Sequence, residues 1–229
     1  MKIYSFFIEE EPKDIAVIRD KDTIHHIYKV LRFKEGDRIL LMDGKLSKYE
    51  GEIKEISQLS ITLKITKKER IPKPPIEITL VQGIPKHPKM DIIVESASGL
   101  GIYRIIPLIS KRTVAKTKNV ERWRSIAKTS LLTSRMGLLC DVCDPTMLDE
   151  IKLNQELVIV AWEEEKNTHL RDILRSNRSV KSIAVFIGPE GGFEKEEVCA
   201  IQKMGGIPVS LGNALIKTEY AGLFVLSSI

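Results

Sequence analysis

At 229 residues, with 43% apolar against 29% charged, the chain is long enough to bury a sizeable core and has the balance of a globular protein rather than a disordered or fibrous one. No apolar run is long enough to span a bilayer as a helix, and the start MKIYSFFIEEEPKD turns acidic too soon for a secretory signal, so a cytoplasmic protein is expected. Three cysteines exclude a disulfide framework, and one CxxC (Cys140, Cys143) without a second pair or a histidine partner is a poor zinc signal; no metal is expected.

The net charge of +5 is modest, but KKERIPKP, KHPK, SKRTVAKTK and ERWR gather much of the basic excess. Such runs fit contacts to nucleic-acid phosphates and equally fit ordinary solvated faces.

In chain order, residues 2–66 read mostly as strands: IYSFFI, RILLM and the alternating SITLKI, with an Asp43-Gly44 turn, predict a small barrel. One helix interrupts it, with Thr23 as its expected cap and Ile24, Ile27, Tyr28 and Leu31 as its apolar stripe. His25 and His26 point in different directions around that helix, which favours surface or packing roles over ligation.

KKERIPKPP (Lys67 to Pro75) is polar, basic and proline-rich, and a domain boundary is expected there: residues 1–72 and 73–229. Beyond it strands alternate with helices, predicting an α/β unit with a mostly parallel sheet. The predicted order is strand ITLVQ, a helix on Met90, Ile93, Val94 and Ala97 ending at Gly99 or Gly101, strand IYRIIPLI, and a helix on Val120, Trp123, Ile126, Ala127, Ser130 and Leu131. Strand LVIVAW, a short helix about Leu170, Ile173 and Leu174, strand SIAVFI, a helix from Glu194 to Met204, strand IPVSL and a final helix to Ile229 complete it.

Ligands of open parallel sheets bind at the carboxyl ends of strands. Two loops therefore stand out, IGPEGGF (Ile187 to Phe193) and LGNALIKTE (Leu211 to Glu219). Glycines 188, 191 and 192 are expected to reach positive φ and let backbone approach a ligand, while Pro189 restrains the loop. No GK[ST] or GxGxxG motif is present, and Glu194, Glu196 and Glu197 occupy the start of the next helix, where an anion would otherwise bind; the expectation is a cationic or neutral ligand. A tight turn capped by an acid accounts for the same spacing.

IGPEGGF with its trailing acids, followed by LG, four positions and TE, resembles the SPOUT-class methyltransferases, and most closely the RsmE-type enzymes that methylate N3 of a uridine in 16S rRNA. HHIYKVLRFKEGD, PKHPKMDIIVESASGLGIYRIIPLISKRTVAK, ERWRSIA and VAWEEE extend the likeness over nearly the whole chain. The resemblance implies a PUA-like RNA-binding β-barrel followed by a SPOUT domain with a C-terminal deep trefoil knot. It also implies a homodimer acting on 16S rRNA, within the small ribosomal subunit, with S-adenosylmethionine as methyl donor.

By the same resemblance the cofactor would lie against Ala161, Trp162, Ile187, Gly188, Gly191, Leu211, Gly212, Leu215 and Ile216. Arg112 would stabilise a deprotonated uridine, with Thr218 and Glu219 orienting the base or taking its proton. As alternatives, Arg112 contacts phosphate or a dimer partner and Glu219 is a helix-start carboxylate. Arg32, Lys34, Lys86, Lys89, Lys111, Lys116 and Arg135 would grip RNA.

Four positions depart from the family pattern: Gly99, Met136, Ala214 and Lys217, where an acid and three arginines are usual. The chain also stops early in its last helix, which is expected to weaken dimer packing. These departures keep open an alternative, an RNA-binding or ribosome-assembly factor with altered or lost transferase activity.

Overall fold

The computed structural model describes residues 4–114 and 120–229. Contacts divide the chain into two compact units, Met1–Lys73 with Leu131–Leu139, and Pro74–Ser130 with Cys140–Ile229.

The first unit holds five strands, β1 (Ser5–Phe7), β2 (Ile15–Ile18), β3 (Arg38–Met42), β4 (Ser47–Ile56) and β5 (Ile61–Arg70), in the order β1-β3-β4-β5-β2. All pairings are antiparallel except β1 with β3. Alternation places Ile39, Leu41, Tyr49, Ile53, Ile61 and Leu63 in one core, together with Ile24 and Ile27. Those two come from helix α1 (Lys21–His25) and the π-helical turn His26–Val30 that continues it.

Asp20, not Thr23, is the cap. Its carboxylate accepts the Thr23 N–H at 2.8 Å, a stronger acceptor than the hydroxyl the sequence offered three residues later. The basic stretch expected as linker still pairs as β5 through Arg70, since Lys67 to Arg70 lie opposite β4 and only the prolines beyond lack a ladder donor.

The second unit contains strands β6 (Glu77–Gly83), β7 (Arg104–Ile109), β8 (Asp141–Val142), β9 (Thr146–Met147), β10 (Leu157–Ala161), β11 (Ser182–Ile187) and β12 (Gly206–Val209). The main path is β12-β10-β11-β6-β7-β8, β9 pairs with β7, and every pairing is parallel. Helices α2 (Lys89–Gly99), α3 (Val120–Ser134, of which this unit holds the residues through Ser130), α4 (Leu170–Ser176), α5 (Lys195–Lys203) and α6 (Thr218–Ser228) alternate with them. The central strands bury both faces, which is why β10 and β11 read as unbroken runs of Val, Ile, Leu, Ala and Phe. β8 and β9, two residues each, are too short to leave a periodic trace in the sequence.

Candidate active site

Three neighbouring parallel strands, β12, β10 and β11, end level with one another: Val160 pairs with Phe186 and Ala161 with Val209. The segments leaving them, from Trp162, Gly188 and Ser210, enclose a cavity of about 390 Å³. Ile187, Leu211, Leu215 and Ile216 supply apolar wall, and Glu163 and Glu190 supply carboxylates. Ala161, Trp162, Gly188 and Gly212 also line it, so eight of the nine predicted cofactor residues meet at one place. Leu215 does so while 94% exposed.

The ninth, Gly191, does not line this cavity. Its carbonyl accepts a hydrogen bond from the Arg112 guanidinium, and a Cβ placed on it would meet the Arg112 side chain at 3.2 Å. The glycines also divide their roles differently from expectation. Only Gly192 has positive φ (68°); Gly188 is required by crowding, since a Cβ there would lie 2.9 Å from the Gly192 carbonyl carbon.

The acids after the loop are structural, so they are not the ligand's partners, and the expectation of a cationic or neutral ligand does not rest on them. Glu197 is buried; one of its oxygens accepts the Glu194 N–H at 2.9 Å, closing a capping box on α5, and the other accepts the Lys111 N–H at 2.9 Å. Glu194 and Glu196 pair with the Lys111 ammonium at 3.2 and 3.5 Å, and Glu194 lies 3.7 Å from Arg112. Its hydrogen bond to Glu194 holds the Lys111 ammonium pKa above its ordinary value.

Sequence reading missed the residue that fastens the two loops. Gln82, fully buried at the end of β6 opposite Ile187, donates its amide to the Thr218 hydroxyl and the Gly83 carbonyl, both at 3.0 Å, and more weakly to the Gly188 carbonyl at 3.5 Å. Thr218 in turn donates to the Gly188 carbonyl. One side chain thus ties the β6 end and the IGPEGG loop to the start of α6. The available signal was a glutamine at the end of the largely apolar run ITLVQ, which demands partners if buried.

Glu219 is 8% exposed and Lys89 approaches it at 3.5 Å while contacting Glu190 at 3.0 Å. Glu190 also accepts the Lys86 N–H at 3.0 Å. Burial would raise the Glu190 carboxyl pKa, but its own backbone N–H, the Lys89 ammonium and the Lys86 N–H outweigh that and hold it below the ordinary value. The hydrogen bond that Lys89 donates to Glu190 holds the Lys89 pKa above its ordinary value.

Three polar atoms beside the loops are buried without a hydrogen-bond partner among the described residues: the Trp162 indole N–H, the Gln82 amide oxygen and one Glu219 oxygen, which has only the Lys89 ammonium at 3.5 Å. An unpaired indole donor in the wall of a largely apolar cavity suits a ligand that brings an acceptor. Among the described residues no group of three His, Cys, Asp or Glu could hold a metal, and no helix is long and apolar enough to cross a membrane.

Of the remaining predicted residues, Lys86 is exposed, and Arg32 and Lys34 are exposed in the first unit, as is Arg135. Arg32 and Arg135 both take positive φ, 57° and 58°. Lys116 lies outside the described residues.

Residues 72–229 match the family described as "RNA methyltransferase domain", and residues 18–66 match "RNA methyltransferase PUA domain". Two curated relatives carry the name ribosomal RNA small subunit methyltransferase E. The one from Bacillus subtilis is 27% identical, over 91% of this chain and 87% of its own; the one from Aquifex aeolicus is 26% identical, over 98% of both. A solved structure of the enzyme of that name from Neisseria gonorrhoeae, bound to S-adenosylmethionine, superposes with a TM-score of 0.88 at 23% identity, covering 99% of this chain and 96% of that one. A putative methyltransferase from Legionella pneumophila, also with S-adenosylmethionine, gives a TM-score of 0.89 at 22% identity with the same coverage. At those identities the superpositions establish a shared fold.

Proposed function

Because this chain belongs to the RNA methyltransferase family, we propose that it uses S-adenosylmethionine to methylate N3 of a uridine in the 16S rRNA of the small ribosomal subunit, as a cytoplasmic homodimer. The observation that carries the reading is the 390 Å³ cavity at the ends of β10, β11 and β12, with its apolar wall, its carboxylates and its unpaired Trp162 donor. Two of the curated relatives share the name of an enzyme with this class of substrate over most of their length.

When bound, S-adenosylmethionine supplies an electrophilic methyl group carried on a sulfonium. In this reading Ile187, Leu211, Leu215 and Ile216 shield its apolar part, Trp162 donates to an acceptor on it, and Glu163 and Glu190 balance its positive charge. Gln82 and Thr218 keep the two loops at a fixed separation, so that little ordering remains when the nucleotide arrives. Uridine N3 carries an imide proton that must leave before the nitrogen is a competent nucleophile. Glu219 takes it, since its carboxylate sits at the first turn of α6 and only Lys89 contacts it at ion-pair distance among the described residues. Arg112, held against Gly191, stabilises the negative charge left on the base.

Two further elements complete the proposal. The chain after β12 threads as a trefoil knot, supported by α6 packing against α2, β6 and β11 while its first residue is bonded to Gly188 of the loop after β11. The dimer is supported by apolar side chains exposed on the two packed helices, Ile92 of α2 with Leu223 of α6.

The test is to incubate the protein and labelled S-adenosylmethionine with small subunits from a strain lacking the enzyme, then locate the methyl by mass spectrometry. A single N3-methyluridine is expected. RNA binding without transfer would replace this reading by the assembly-factor alternative that the departures at Gly99, Met136, Ala214 and Lys217 leave open.

A further inference from the structure

A second, larger cavity of about 670 Å³ shares Ser210, Leu211, Gly212 and Asn213 with the first, so one loop walls both. Its lining differs in kind. It has an apolar floor that includes Leu174, Val180 and Phe224, and its charged side chains are Arg171, Arg175 and Arg178; no acid lines it. Arg171 and Arg175 lie four residues apart on α4, hence on one helical face, and Arg178 follows in the turn beyond. Arg171 is 73% exposed with only its neighbour Asp172 near it, at 3.5 Å, and Arg175 and Arg178 make no ion pair among the described residues.

That contrasts with the basic residues of the first site. Lys89, Lys111 and Arg112 all have carboxylates within 4 Å. Guanidinium groups left free around an apolar floor match the chemistry of single-stranded nucleic acid, whose phosphates take planar donors and whose unstacked bases take an aromatic or aliphatic surface. A small cationic ligand is disfavoured in the same cavity, because nothing there offsets its charge.

We propose that this arginine-rimmed cavity binds a single-stranded RNA segment flanking the target nucleotide, with Arg175 and Arg178 on its phosphates and a base against Phe224. The inference rests on the proposed function for the identity of the partner. The shared loop Ser210–Asn213 then contacts donor on one side and RNA on the other, and RNA seated here is adjacent to the methyl-transfer site.

The experiment measures binding of a fluorescein-labelled mixed-sequence single-stranded RNA to the full chain over a range of salt, without donor present. Removing two phosphate contacts should reduce the slope of log affinity against log salt by about 1.4, from roughly 0.7 per contact on a single strand. R175A/R178A should therefore bind the RNA about tenfold more weakly at low salt and show that shallower slope. R175K/R178K should restore the slope, because charge alone sets it. An unchanged slope in R175A/R178A overturns the proposal, as does a loss of RNA affinity that tracks loss of the dimer in sedimentation. S-adenosylmethionine affinity of the double variant, read by calorimetry, should be unchanged. If the unmodified chain binds RNA with the expected slope yet fails to bind the donor, the proposed function fails while this surface stands.

Discussion

Gly188→Ala probes the site through backbone crowding. The new Cβ would sit 2.9 Å from the Gly192 carbonyl carbon, 3.0 Å from Gly192 Cα and 3.1 Å from the Phe193 nitrogen, all main-chain atoms with no rotamer to yield. Ordinary contact begins near 3.4 Å, so the loop must open by about half an ångström. Overpacking of that kind costs about 1–3 kcal/mol, and loosening the bond from Thr218 to the Gly188 carbonyl adds about 1 kcal/mol. If about 2 kcal/mol of this falls on the donor-binding geometry, affinity drops roughly 30-fold.

The companion Gly191→Ala is the control. Its Cβ would meet only Arg112 side-chain atoms, the nearest at 3.2 Å, and these can swing away, so donor affinity should stay within about threefold. Calorimetric titration of S-adenosylmethionine into both variants, with thermal unfolding alongside, gives the comparison. Equal affinities for Gly188→Ala and the unmodified protein, or a larger loss for Gly191→Ala, would refute the placement of the donor against the IGPEGG loop.

Replacing Gln82 by Met removes the hydrogen bonds to Thr218 and Gly83 but also removes a buried oxygen that has no partner, so unfolding free energy should move by no more than about 2 kcal/mol while donor affinity falls clearly. Calorimetry and denaturant titration separate the two. The Glu190 carboxyl has its pKa held down in the folded protein, so its contribution to stability is present above the ordinary carboxylate range and is lost as pH falls through the lowered value; Glu190→Gln should flatten the acid limb of unfolding free energy against pH, read by denaturant titration. Arg112→Ala should leave donor affinity within a fewfold and depress methyl transfer by about 100-fold or more, measured by single-turnover transfer of label. Burial pushes the Cys140 thiol up to about 12, so iodoacetamide should modify exposed Cys199 first and Cys140 only on unfolding, followed by peptide mapping.

Much of the fold was legible because period and burial coincide in this chain. The runs LVIVA and SIAVFI are apolar on both faces since helices cover both, and the stripe Met90, Ile93, Val94, Ala97 is the buried side of α2. The cavity's glycine loops were legible for a topological reason: they follow the last two strands of a parallel sheet, β11 and β12, and ligand sites gather at such ends. What stayed hidden depends on contacts distant in sequence. Nothing local says that Glu197 faces Lys111 or that Gly191 faces Arg112, and so the acids after the loop looked like ligand partners when they are a helix cap and its lysine clasp. Gln82 and Thr218 are 136 residues apart, and their bond appears only once β6 lies beside β11. The arginines of α4 and of the turn after it were passed over because three arginines in eight residues are unremarkable until the cavity beside them proves to lack acids.

The central claim is that the methyl donor occupies the smaller cavity between the β11 and β12 loops rather than its larger arginine-rimmed neighbour. A crystal structure of the full chain with S-adenosylmethionine decides between them. The expected result is donor density bounded by Trp162, Gly188 and Leu211, with the methyl facing Glu219. Density beside Arg175 and Arg178, with the smaller cavity closed, would contradict the account.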